Sequence, residues 1–229
     1  MMPFKSIFGD ALQFFVRNLR QIFTLCMPFL LAGALMNHVI LGPQQDSTFS
    51  PDRFLILLAV NMALYPLYTG ALIMLMASQA DNRLPTNSEL ISAALSIYPQ
   101  MLLLGVVGRT LVMLGLLFFV LPGIWFSVRL AFCEFFLVVE RLDPQAAIYK
   151  SFQATRPHFF PILTALALIA MPVFMLVLVT ENALAAMQAH AGIQVAVNAL
   201  VAFASLFLDV VMFRIFLEAG RSPPDGAVA

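Results

Sequence analysis

The sequence predicts an all-α integral membrane protein, with six transmembrane helices grouped as three hairpin units, each preceded by a cytoplasmic amphipathic interfacial helix. Three observations predict it. Of 229 residues, 62% are hydrophobic and only 10% are charged, against about 45–50% and about 25% in soluble domains; mean hydropathy is +0.94. Too few polar residues remain to coat a water-facing surface, so the surplus apolar surface faces lipid. Six apolar runs come near the length of about 20 residues that crosses a hydrocarbon core about 30 Å thick. Amphipathic stretches precede the first, third and fifth of them.

Taken in order, the spans are 22–41, 54–77, 100–121, 124–140, 159–180 and 193–217. The stretch "FKSIFGDALQFFVRNLRQ" (4–21) opens the chain, with Phe4, Phe8, Ala11, Leu12, Phe15 and Leu19 on one helical stripe and Ser6, Asp10, Gln13, Arg17 and Arg20 on the other. Such a helix lies along a membrane surface, rings in the acyl boundary and basic groups towards headgroups. The apolar run continues past "AGA" (32–34) to Leu41, so span one is expected to stay in the protein and not to be removed as a signal peptide. Turn-forming residues separate spans one and two at 42–53, and "ADNRLPTNSE" (80–89) follows span two.

The second amphipathic stretch, 86–100, begins with Thr86 and Glu89 at capping-box spacing. Spans three and four are joined only by "LPG" (121–123). Pro122 forces Leu121 out of the helical region and Gly123 tolerates a positive φ, so the two spans are expected to be antiparallel neighbours. Span four, at 17 residues, is short. The third amphipathic stretch, 143–160, has Asp143 placed as N-cap and Pro144 at the first helical position. Prolines 28, 66, 161 and 172 are expected to kink their spans. The units run over 4–77, 86–140 and 143–217, related as parallel repeats within a single polytopic domain, 1–229.

Lysine and arginine near the span ends set the orientation. With a cytoplasmic N-terminus the inner side holds Lys5, Arg17, Arg20, Arg83, Arg141, Lys150, Arg156 and Arg221, and the outer side holds Arg53. Both termini are therefore expected on the cytoplasmic side.

Arg109, Arg129, Glu134, Asp209 and Arg214 lie within spans. Each costs about 2.5–3.5 kcal/mol at a helix centre on insertion scales, so they are expected to pair or to line a hydrated interior. Arg109 lies at a depth that suits Glu134 or Asp209, Arg214 is four residues from Glu218, and Arg129 is close enough to the outer end to snorkel. Two readings stay open: interhelical clamps, or a site for a headgroup, ion or proton. Cys26 and Cys133 read as buried thiols, and His38, His158 and His190 are scattered, so neither metal nor cofactor is expected. The net charge of zero excludes a strongly basic nucleic-acid binder.

The stretch "LPGIWFSVRLAFCEFFLVVERLDPQAAIYKSFQATRPHFF" (121–160) resembles the signature of the YciC-like bacterial inner-membrane proteins. The likeness is carried by Pro122-Gly123, Arg129, Glu140, the loop through Pro144, the alanines 146–147, Ser151-Phe152 and Thr155-Arg156. A related arrangement forms the membrane portion of some glycerophosphodiester phosphodiesterases, whose catalytic domain has no counterpart here. The resemblance implies a cytoplasmic-membrane protein supporting the envelope, with Glu140 accepting from Lys150, Arg156 or the start of the third surface helix. Glu134 and Asp209 lie outside its pattern. No phosphate-binding loop, nucleotide fingerprint, HExxH or nucleophile elbow is present. The expected role is non-enzymatic, through membrane lipids, envelope partner proteins or a homo-oligomer; the alternative is a small transporter or channel for a lipid-like or small polar solute.

Overall fold

In the computed structural model, which describes residues 4–41, 51–81 and 83–221, the chain is helical throughout, with no strand among the described residues. The first predicted turn, 42–53, lies through residue 50 outside that range, as does Asn82 of the second. The helices are α1 (Phe4–Arg17), α2 (Leu19–Leu41), α3 (Pro51–Ala80), α4 (Asn87–Phe118), α5 (Val120–Arg129), α6 (Cys133–Val139), α7 (Pro144–Thr155), α8 (Phe159–Ala186) and α9 (Ala191–Arg221). Six stretches are long and apolar enough to cross a membrane, the fourth being α5 and α6 together, Val120–Val139.

Three of the helix boundaries have a clear local cause. Thr86 caps α4 with the reciprocal capping box read from the sequence, its side chain accepting from Glu89 N while the Glu89 carboxylate accepts from Thr86 N. Asp143 accepts from Ala146 N to open α7, and Pro144 occupies its first turn. Helix α6 ends at Glu140, and Arg141 behind it takes φ 52°, the left-handed position at which helices commonly stop.

Three expectations are corrected. The second amphipathic stretch is no separate surface helix: 87–100 and span three form one 32-residue helix, α4, that carries Pro99 inside it. The α4–α5 turn falls at Phe119 (φ −161°, ψ 148°), and Leu121, Pro122 and Gly123 sit in the first turn of α5. There Pro122 loses nothing, because the first N–H groups of a helix have no intrahelical acceptor. Gly123 serves close approach instead of a positive φ: a Cβ on Gly115 would lie 2.8 Å from Gly123 Cα. Pairing of 115 with 123 and of Gly108 with Leu130 runs in opposite senses, so α4 and α5 are antiparallel. Pro161 lies in the first turn of α8, whereas Pro28, Pro66 and Pro172 lie inside α2, α3 and α8.

Six spans make a ring in which α2 meets α3, α3 meets α4, α4 meets α5, α5 meets α8, α8 meets α9 and α9 returns to α2. Helix α5 keeps its place in that ring, but after the break at residues 130–132 the chain steps inward and α6 packs against α3. Cys133, Phe135, Phe136, Leu137 and Val138 are all buried. Helix α7 folds over α6, presenting Ala147, Ser151 and Thr155, spaced by one helical turn, as its buried face. Helix α1 crosses α9, with Phe8 and Phe15 against Phe207 and Phe15 against Phe203. Ile7 and Ala11 are buried, while Leu12, Val16 and Leu19 remain exposed.

The inward step of α6 divides the bundle. Where α6 fills the centre, Phe132, Phe135, Phe136, Phe213 and Phe216 form a connected ring cluster with centroids 5.0–6.4 Å apart. Where only the ring is present, on the side of the Phe119 turn, the interior is hollow.

Candidate functional site

The hollow half ends on polar side chains from four helices. Helix α3 supplies Met62, Tyr65 and Tyr68 around Pro66; α4 supplies Arg109, α6 Glu134 and α9 Asp209. Tyr65 Oη donates to Glu134 Oε2 at 2.9 Å. The Arg109 guanidinium lies over the Tyr65 ring, 3.7 Å from its centroid, with Nη1 3.2 Å from Met62 Sδ. A cation on an aromatic face away from water is stabilised by about 2 kcal/mol or more. Tyr65 thus spans the two charges, its face to Arg109 and its hydroxyl to Glu134.

Arg109, Glu134, Asp209 and Tyr65 line one cavity of about 460 Å³, walled by Leu104, Gly105, Gly108, Leu130, Ala131 and Leu208 among others. Its rim carries Leu58, Met113 and Leu116, exposed and apolar. A second cavity, about 520 Å³, lies between α3, α8 and α9 and shares Tyr65, Leu208 and Asp209 with the first. Its far wall is Ala170, Val173, Phe174 and Val177 of α8. Small glycines on the α4 wall leave the first cavity its room.

The structure brings Arg109, Glu134 and Asp209 together, and no two of the five intramembrane charges form an ion pair. Arg214 lies elsewhere, its guanidinium 5.2 Å from the Phe14 ring of α1. Arg129 does not snorkel outward. It ends α5 at the break, where Nη1 donates to Phe152 O at 3.3 Å and the guanidinium lies between Trp125 and Phe159.

Arg129, Glu140, Ser151 and Thr155 form a second constellation, around the break. Ser151 Oγ donates to Arg129 O at 2.6 Å and accepts from Phe132 N at 3.3 Å, so one hydroxyl from α7 satisfies both backbone groups that the interruption frees. Thr155 Oγ1 in turn donates to Ser151 O at 2.7 Å. Lys150 Nζ donates to Glu140 Oε2, tying α7 to the end of α6. Arg156 is exposed at the C-cap of α7 and joins neither constellation. Pro122 and Gly123 shape the α4–α5 turn, remote from the charges. Cys26 and Cys133 are buried free thiols.

Sequence reasoning missed Tyr65, Tyr68 and Met62. The signal was present in "YPLY" (65–68): two phenols flanking a proline inside an apolar span need hydrogen-bond partners there. Intramembrane amides were a second missed signal. Asn37, Asn61, Gln194 and Asn198, with His38 and Glu181, line a third space of about 200 Å³ that reaches Tyr68, and Asn61 Nδ2 donates to Asn37 Oδ1 at 2.8 Å.

No family model matches the chain, and no solved structure matches it. It is similar to a UPF0259 membrane protein of Yersinia pestis (strain Pestoides F), 27% identical over 143 residues, covering 59% of this chain and 56% of the relative. A UPF0259 membrane protein of Yersinia pseudotuberculosis serotype O:3 (strain YPIII) matches with the same identity and coverage. The chain therefore spans little more than half the length of the curated relatives it matches. Six apolar spans and relatives of that description agree on a multi-pass membrane protein.

Proposed function

We propose that this chain is a non-enzymatic protein of the bacterial cytoplasmic membrane that holds a lipid-like amphiphile within its bundle and serves envelope organisation by doing so. One observation carries the reading: Arg109, Glu134 and Asp209 line a common cavity with no ion pair among them. Intramembrane charges kept only as clamps belong in mutual contact, because each unpaired one costs about 2.5–3.5 kcal/mol on insertion scales. Charges arranged around a space suit a ligand that supplies the missing partner. The apolar rim of Leu58, Met113 and Leu116 suits an alkyl tail, and the charged floor suits a polar head.

The likeness of residues 121–160 to the YciC-like proteins supports the bacterial cytoplasmic membrane and an envelope role. The lysine and arginine asymmetry supports cytoplasmic termini, and the exposed apolar side of α1 supports a position at the lipid interface. The reading assigns no covalent step to any residue. A second reading, the structural clamp, draws on Tyr65, which links Arg109 to Glu134 through its ring and hydroxyl.

The test is the lipid content of protein purified in native-lipid particles. Under the proposal a specific amphiphile is enriched with the wild type and lost from Arg109→Ala and Asp209→Asn variants that remain monodisperse. An identical lipid profile in all three, with unchanged thermal stability, refutes the ligand site. Loss of stability without any lipid difference selects the clamp.

A further inference from the structure

We infer that the charged centre is reached by polar groups from one face of the membrane only, the face on which α2 ends and α3 begins. This rests on the amphiphile reading above and adds the direction from which the head travels.

The three spaces of the hollow half meet at shared side chains. The vestibule of Asn37, His38, Asn61, Glu181, Gln194 and Asn198 reaches Tyr68. Tyr68 also borders the second cavity, together with Ser205, Tyr65 and Asp209. Tyr65 and Asp209 then border the first cavity, with Arg109 and Glu134. Along α9, Gln194, Asn198, Ser205 and Asp209 mark successive depths, the last about 22 Å below the first at 1.5 Å per residue. A polar group moving inward would therefore pass the amides and the Glu181 carboxylate of the vestibule, then a phenol and a hydroxyl, before it meets Asp209.

Beyond Asp209 the character changes at once. Leu72, Leu75 and Met76 of α3, Phe132 and Phe135 at α6, and Phe213 of α9 are buried, and the phenylalanine cluster occupies the centre. The buried polar side chains there among the described residues are Thr69, whose Oγ1 has no partner, and Ser151 and Thr155 of α7, both bonded to backbone beside the break. The space at the opposite face is lined by Asp10, Arg17, Asn18, Gln79 and Arg214 and ends on Met76, Val210 and Phe213; it shares no lining residue with the three spaces of the hollow half. The route is thus a dead end at mid-membrane, with apolar rims on its flanks. That geometry takes a headgroup down a wet lane while its tail stays among the lipids beside Leu58, Met113, Phe174 and Val177.

The test is side-specific thiol labelling. Single-cysteine variants Asn61→Cys, Asn198→Cys, Ser205→Cys, Leu75→Cys and Phe132→Cys are made in a Cys26→Ala, Cys133→Ala background. They are reconstituted in vesicles of determined orientation and exposed to a membrane-impermeant maleimide on either side. Only variants that elute monodisperse are scored, and Asn61 and Asn198 stand on opposite walls so that either reports the vestibule. The expected result is labelling of the vestibule positions and of Ser205 from the same side only, with none at Leu75 or Phe132. Labelling of Ser205 from both sides, its protection while the vestibule labels, or labelling at Phe132 overturns the inference. One-sided labelling alongside a lipid profile that Arg109→Ala leaves unchanged would remove the amphiphile and keep the route. Two-sided labelling alongside a lost amphiphile would do the reverse.

Discussion

The two halves of this bundle use the same six-membered ring for opposite ends. On the side of α7, α6 occupies the centre and five phenylalanines close it; on the side of the Phe119 turn, the ring surrounds phenols, amides and charges that do not neutralise one another. The difference comes from three residues. Had the fourth span stayed straight through 130–132, its lower half would have remained in the ring and both ends would be alike. A single interruption, held by one hydroxyl, lets a small membrane protein build a plug and a cavity from the same set of helices.

The contrast can be broken or sharpened by substitution. The largest effect is expected where the hollow half has its only backbone-to-backbone contact among the described glycines. A Cβ at Gly123 would meet Leu116 N at 2.8 Å as well as the Leu116 side chain, so Gly123→Leu should abolish the folded, monodisperse species on size exclusion. Next is the plug. Phe216 touches Phe132, Phe135, Phe136 and Phe213, and Phe216→Ala should lower stability by about 3–5 kcal/mol in detergent unfolding; a loss under about 1 kcal/mol would mean the packed half is not packed.

The hinge between the halves comes third. Ser151→Ala leaves Arg129 O and Phe132 N without their partner, a loss of about 1–3 kcal/mol. The single tryptophan, Trp125, lies 5.6 Å from Phe152 and should report it as a changed emission spectrum. The smallest effects belong to the periphery. Lys150→Ala removes an ion pair whose side chains are 45% and 36% exposed, worth about 0–1 kcal/mol. Asn61→Ala in the vestibule should cost less than about 1 kcal/mol by the same unfolding measurement.

Hydropathy made the six spans legible, because twenty-odd apolar residues leave few alternatives to crossing a bilayer. Caps at Thr86 and Asp143 were legible for the same local reason: they depend on neighbours three residues away. The Lys150–Glu140 tie was one of three options implied by the resemblance. What escaped was long-range. No local signal tells that 87–100 continues into span three, because Pro99, a residue that ordinarily interrupts a helix, lies near the join. Nor could spacing reveal that Ser151 would mend a helix twenty residues upstream. Among the candidate site residues, depth grouped Arg109, Glu134 and Asp209, and of the two arrangements left open, direct pairing or a shared interior space, they line one cavity, with Tyr65 contacting both Arg109 and Glu134. Formal charge marks Arg109, Glu134 and Asp209 in the sequence, and the phenols and amides that complete the site carry none.

The α4–α5 turn has a consequence for how the chain enters the membrane. From Leu116 to Trp125 it holds no side chain that prefers water, and Leu117, Phe118, Phe119, Val120 and Leu121 all stand exposed. A hairpin with an oily tip has no hydrophilic cargo to carry through the hydrocarbon. Such a tip suits entry of the two arms together, with no polar loop to translocate between them.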